Sequence, residues 1–96
     1  MNRVEIFANQ ALTDLLIDRI SEHDELHFTI INNLSGKGNK GLCLNSEIWP
    51  EGNVCFLIYC SSEQLVGLKN ILLEVKKEFP VVGLHAFYSE SVNEFV

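Results

Sequence analysis

The chain has 96 residues, of which 47% are hydrophobic and 21% charged, as in an ordinary globular domain and unlike a disordered or collagen-like chain. Its 7 basic and 13 acidic residues give a formal net charge of −6, which argues against binding to nucleic-acid phosphates. No apolar run approaches the roughly 20 residues of a transmembrane helix. The first ten residues also lack a signal-peptide pattern, so we expect a cytoplasmic protein with no membrane insertion.

The first third of the chain predicts a strand, a helix and a second strand. Residues 3–8 alternate between the two sides of a half-buried strand. Asn9 is then placed to cap a helix over about 10–23, where leucine and isoleucine recur at helical spacing. Residues 26–34 return to a period of two and are rich in β-branched side chains, so we expect a strand there.

A long connection separates the two halves of the chain. Residues 35–53 hold four of the six glycines and show no sustained periodicity, so they predict one long loop. Trp49, the only tryptophan, lies near the end of this loop. It is either a lid or partner anchor, or a clamp that holds the loop on the domain. Residues 54–60 then give the strongest strand signal of the chain.

The last third of the chain predicts a second helix and a fourth strand. Ser61 and Gln64 have the spacing of a capping box for a helix over about 63–78. The buried stripe of this helix is expected to contain Leu65, Leu68, Leu72, Val75 and Phe79. Pro80 has no N–H to donate and should end the helix, and residues 81–88 predict the last strand.

The resulting order, βαββαβ, indicates an α+β fold of the ferredoxin-like type. In that fold a four-stranded antiparallel sheet carries two helices on one face, and we expect residues 1–96 to form a single such domain. The uncovered face would carry Phe7, Ile31, Leu57, Tyr59 and Phe87 beside Glu5, His27, Thr29 and His85. A monomer does not normally leave this much apolar surface in water, so we predict an oligomer with cyclic symmetry that buries the face.

A glycine-rich segment follows directly after the second predicted strand. Gly36, Gly38 and Gly41 allow main-chain N–H groups to approach a ligand closely, and Lys37 and Lys40 add positive charge for a phosphate or carboxylate. The segment is neither a Walker A loop nor a dinucleotide-binding fingerprint, because no helix is predicted to follow it. It is therefore an anion cradle or, alternatively, a connector that binds no ligand.

Titratable residues give little support for catalysis, and we expect that the protein is not an enzyme. No Ser–His–Asp or Cys–His arrangement follows from the spacing. Cys43, Cys55 and Cys60 form no C-x-x-C pair, which favours structural thiols in a reducing compartment. His27 and His85 would both lie on the uncovered sheet face, where they either share a metal across an oligomer interface or make hydrogen bonds.

Taken together, these segments resemble the PII-like signalling proteins, which are relatives of the nitrogen-regulatory PII family. The resemblance spans nearly the whole chain and is carried by M-N-R-V-E-I-F-A-N-Q at 1–10, S-G-K-G-N-K-G at 35–41 and I-W-P-E-G-N-V-C-F-L-I-Y-C at 48–60. It implies a homotrimer whose 35–53 connection corresponds to the regulatory T-loop. It also implies that nucleotides or other small effectors bind in clefts between subunits.

The resemblance also implies roles for particular residues. The family's G-x-G-x-x-K-G pattern is matched, with one residue fewer, by Gly36, Gly38, Lys40 and Gly41, which inherit a candidate ligand-binding role. The chain departs from PII proteins at 79–83, which lack a second glycine-rich phosphate loop, and over 35–53, which contain no tyrosine for uridylylation. We therefore expect a non-enzymatic regulator that senses an adenine nucleotide or another small anion. It would act on a protein partner, such as a transporter or an enzyme, through the loop and Trp49.

Two other functions stay open from the sequence. The divalent-cation tolerance proteins share the fold, and a trimeric metal-binding protein of that kind would use His27, His85 or Cys43 as ligands. A ferredoxin-like DNA-associated regulator would have to bind a duplex in spite of the acidic net charge.

Overall fold

The computed structural model describes residues 1–38, 41–43 and 52–96. In chain order its elements are β1 (Asn2–Asn9), a 3-10 turn (Gln10–Leu12), α1 (Thr13–Ser21), β2 (Phe28–Leu34), β3 (Gly36–Gly38), β4 (Gly41–Cys43), β5 (Asn53–Cys60), α2 (Ser62–Glu78) and β6 (Leu84–Ser89). The main sheet has the strand order β2-β5-β1-β6, with every neighbouring pair antiparallel. Strands β3 and β4 form a separate hairpin.

Both helices pack on one face of the main sheet. Alternate strand residues on this face are buried, and they share one core with the apolar sides of α1 and α2. The strand members include Val4, Ile6, Ala8, Val54, Phe56, Ile58 and Leu84, and the helix members are Leu16, Ile20, Leu68, Leu72 and Val75. The predicted ferredoxin-like fold is therefore confirmed.

The predicted caps are present in the structure, but the helix predicted over about 10–23 begins as a 3-10 turn and is α-helical only over Thr13–Ser21. The side-chain oxygen of Asn9 accepts a backbone N–H at 2.9 Å and caps the 3-10 turn that leads into α1. At α2, Ser61 Oγ accepts the Gln64 N–H at 3.1 Å, and Gln64 Oε1 accepts the Ser61 N–H at 2.9 Å. Helix α2 ends before Pro80, as predicted. In the part of the chain that the structure describes, neither helix is long and apolar enough to cross a membrane.

Two predictions at the end of α2 are wrong. Phe79 is 39% exposed instead of lying on the buried stripe, because its backbone has left the helical region, at φ −128° and ψ 65°. The strand predicted over 81–88 begins only at Leu84, because residues 80–82 form a turn after the helix. Sheet pairing starts where Leu84 lies opposite Ala8 of β1.

The region predicted as one loop, residues 35–53, is partly ordered into strands. Gly36–Gly38 and Gly41–Cys43 pair with each other, and β5 already begins at Asn53. The hairpin depends on pairing between main-chain groups. Its two strands are short and contain glycine, so they carry no apolar period by which the sequence could reveal them.

Candidate functional site

The four strands of the main sheet each have one terminus at the same end of the sheet, which we call the loop end. Strands β1 and β2 finish there, and β5 and β6 start there. Its described residues are Asn9, Gln10, Asn33, Leu34, Ser35, Gly36, Gly52, Asn53 and Gly83. Asn53 lies opposite Asn9 on one side and Leu34 on the other, so both ends of the 35–53 connection are held at this place.

Backbone hydrogen bonds join three separate connections at the loop end. The Asn9 N–H donates to the Gly83 carbonyl at 2.9 Å, and the Gln10 N–H donates to the Gly52 carbonyl at 2.9 Å. The β1–α1 connection therefore contacts both the end of the 35–53 connection and the α2–β6 connection. Residues distant in sequence are fixed beside one another by main-chain contacts.

Strand β2 is irregular where it reaches the loop end. Asn33 has a φ of 58°, and the register between β2 and β5 shifts between Ile31 and Leu34. Asparagine adopts the left-handed region more readily than other residues with a Cβ. The irregularity bends the strand locally just before the chain enters the β3–β4 hairpin.

The structure places most of the predicted ligand-binding residues in that hairpin. Those described are Gly36, Lys37, Gly38 and Gly41. Lys40 and Trp49 lie outside the described residues. A Cβ added at Gly36 would lie 4.0 Å from Asn53 Nδ2, which is an ordinary contact, so lack of space does not require a glycine there. The ligand-binding role of the hairpin stays a prediction.

The loop end presents amide groups that sequence reasoning missed. Asn9, Gln10 and Asn53 are half-buried, and an amide side chain both donates and accepts hydrogen bonds. Such groups suit a polar ligand with a hydrogen-bonding edge, and backbone N–H groups near the glycines suit an anion. Asn9 and Gln10 are consecutive at the end of β1 and the start of the 3-10 turn, and Asn53 begins β5 in a distant part of the sequence. Only the register that pairs Asn9 with Asn53 brings them together.

The histidines of the metal alternative lie far apart within one chain. His27 precedes β2 and His85 lies in β6, and these are the two edge strands of the sheet. Three interstrand spacings of about 4.8 Å separate the edge strands by roughly 14 Å. Cys43 lies in β4. Within the described ranges, no group of three or more His, Cys, Asp or Glu side chains could hold a metal ion. A shared metal would therefore need His27 and His85 from different copies.

The sheet face opposite the helices is not covered by any element of the described chain. This open sheet face consists of Arg3, Glu5, Phe7, Thr29, Ile31, Cys55, Leu57, Tyr59, His85, Phe87 and Ser89. Phe87 is 61% exposed and Tyr59 is 52% exposed. The rings of Phe7 and Phe87 meet edge to face, with 6.4 Å between their centroids. The uncovered face expected from the strand pattern is thus present, except that His27 precedes β2 instead of lying in the sheet.

Known structures share this fold, although no protein-family model and no curated protein matches the chain. CPII, a nitrogen regulatory PII-like protein from Thiomonas intermedia K12 bound to ADP, AMP and bicarbonate, matches with a TM-score of 0.72 at 22% identity, over 92% of this chain and 82% of CPII. A protein from Thermus thermophilus described as PII-like and signalling matches with a TM-score of 0.61 at 23% identity, over 92% of this chain and 83% of its own. The chain therefore has the fold of the PII-like signalling proteins, and the resemblance drawn from the sequence is confirmed at the level of the fold.

Proposed function

We propose that this chain is a non-enzymatic, PII-like regulator that senses a small anionic effector at the loop end. The first candidate effector is an adenine nucleotide. The observation that supports this most is the convergence of the glycine hairpin, the three amides and Gly83 at one end of a PII-like fold. Solved structures with that fold hold ADP, AMP and bicarbonate.

The residues of the loop end suit the base and sugar of a nucleotide better than a long phosphate chain. The amides of Gln10 and Asn53 can pair with donors and acceptors of a base or ribose, whereas the Asn9 side-chain oxygen already accepts the Ala11 N–H. Backbone N–H groups and the Lys37 cation can receive a phosphate or bicarbonate. Residues 79–83 contain no basic side chain. We therefore expect the affinity to rise little from AMP to ADP to ATP.

The functional unit that we propose is a cytoplasmic homotrimer. Covering the open sheet face with neighbouring copies would remove exposed aromatic rings such as Phe87 and Tyr59 from water. The effector site would then lie at a boundary between copies. An effector bound at the loop end would favour one state of the 35–53 connection and so change what a protein partner, a transporter or an enzyme, meets there.

Calorimetric titration of the wild-type protein with AMP, ADP, ATP and bicarbonate tests the effector and its site. We expect binding that is at least about tenfold weaker in a Gly38→Val, Lys40→Ala double variant, since the main-chain approach and one cation are lost. Lys76→Ala, an exposed helix position, is the control and should bind as the wild type does. If none of these ligands binds the wild type, the nucleotide-sensor proposal fails. If the double variant binds unchanged, the hairpin is not the site.

A further inference from the structure

One ion pair lies on strand β1 within the open sheet face. Arg3 Nε is 3.3 Å from Glu5 Oε1, and the two side chains are 41% and 33% exposed. Arg3 Nε is itself buried, yet its N–H is not directed at the carboxylate and makes no hydrogen bond with a described residue. The other guanidinium N–H groups have no acceptor in that part of the chain either. Arg3 therefore has N–H donors that are available to a further acceptor, and they lie beside apolar neighbours.

The charges of the open sheet face differ from those of the rest of the chain. Glu5 is the only acidic residue on this face and Arg3 the only lysine or arginine, among the residues that the structure describes. The chain as a whole carries a net charge of −6, so two copies repel one another over most of their surfaces. The open sheet face carries one charge of each sign, so a second copy can approach it without this electrostatic repulsion.

From this arrangement we infer that Arg3 of one copy binds Glu5 of the neighbouring copy when open sheet faces meet. The occupant of the face is a second copy of this chain, because a patch with one cation beside one anion is complementary to itself. A partner with a patch of a single sign would satisfy only one of the two charges. The inference rests on the assembly in the proposed function and assigns the residues that set how the copies align.

Desolvation determines which partners the two charges need once copies meet. In water, an exposed pair such as Arg3 and Glu5 in one strand contributes little. Under a neighbouring copy the same charges leave water, and each then needs more than one hydrogen-bond partner. The planar guanidinium of Arg3 can keep its ionic contact with its own Glu5 and donate to a second carboxylate through its terminal nitrogens. When each Arg3 binds the Glu5 of a neighbouring copy, every copy gains that second carboxylate.

Charge-reversal variants test whether Arg3 and Glu5 pair between copies, and sedimentation velocity over a dilution series is the measurement. Arg3→Glu and Glu5→Arg should each raise the dissociation constant of the assembly by roughly thirtyfold or more, because like charges would face each other at the interface. The double variant with both changes should assemble again like the wild type. Lys69→Glu and Glu74→Arg make the same changes in net charge at exposed positions of α2 and should assemble normally.

The outcomes separate this inference from the proposed function. Circular dichroism first establishes that each single variant is folded. If both single variants assemble like the wild type, or if the double variant stays dissociated, the inferred pairing of Arg3 with Glu5 between copies is wrong. The assembly and the effector site are not affected by that outcome. If the wild type is a monomer at every concentration, the proposed trimer fails as well. Titration of the same variants with the effectors tests binding at the loop end independently of the assembly.

Discussion

Cys55 and Cys60 are buried free thiols on opposite faces of β5, because they are an odd number of residues apart in one strand. Burial raises the pKa of the Cys55 thiol above the ordinary value of 9.0, and the nearby Glu5 carboxylate raises it further. Burial also raises the pKa of the Cys60 thiol. Both observations fit the structural role expected of these cysteines, since the reactive form of cysteine is the thiolate.

At the scale of single residues, these raised pKa values predict how stability depends on pH. Below the pKa of the unfolded thiols both states are protonated, and the cysteines make no difference. As pH rises through about 9, the unfolded state loses its thiol protons first, so the free energy of unfolding should fall. Urea denaturation at a series of alkaline pH values checks this. Cys55→Ala, Cys60→Ala should flatten the fall, and an equally steep fall in that variant would contradict the assignment.

At the scale of elements, the start of α2 depends on one local interaction. Ser61 and Gln64 bond to each other's backbone N–H groups, which otherwise have no partner at a helix N-terminus. We expect Ser61→Ala to lower the free energy of unfolding by about 1 kcal/mol. Ser61→Asp keeps an acceptor at the cap and should lie close to the wild type in urea denaturation. Equal stabilities of the alanine and aspartate variants would show that the cap does not stabilise α2.

Elements that depend on local interactions could be predicted from the sequence, whereas elements that depend on pairing with a distant segment could not. The Asn9 cap, the capping box at Ser61 and the end of α2 before Pro80 depend on neighbours within a few residues. The last two are confirmed, and Asn9 caps the 3-10 turn before α1 instead of α1 itself. The start of β6 and the β3–β4 hairpin depend on pairing with another segment. Sequence reasoning misplaced the first and missed the second.

The candidate site also has one part that a local sequence pattern reveals and one part that depends on distant contacts. Its glycine-rich segment is recognisable in the sequence as a cluster of glycine and lysine, although its pairing into a hairpin is not. The amides of Asn9, Gln10 and Asn53 are not recognisable either, because each is an ordinary polar residue at the end of a strand or turn. Their proximity follows from strand register and from two backbone hydrogen bonds, which no local pattern specifies.

At the scale of the whole molecule, the open sheet face determines whether the single chain is the functional unit. Phe87 on that face is 61% exposed, and Val66 on α2 is 63% exposed. In a monomer both positions are surface sites, where substitutions usually change stability by about 0.5 kcal/mol or less, and Phe87 differs by its edge-to-face contact with Phe7. If copies meet through the open sheet face, only Phe87 is buried by assembly.

Phe87→Asp and Val66→Asp add the same charge at equally exposed positions and therefore form a matched pair. We expect Phe87→Asp to dissociate the assembly, because losing a buried aromatic contact at an interface costs about 2 kcal/mol or more and the new carboxylate is desolvated as well. Val66→Asp should leave the assembly intact. Light scattering coupled to size-exclusion chromatography distinguishes the two, and dissociation of Val66→Asp alone would place the contact between copies on the helical side instead.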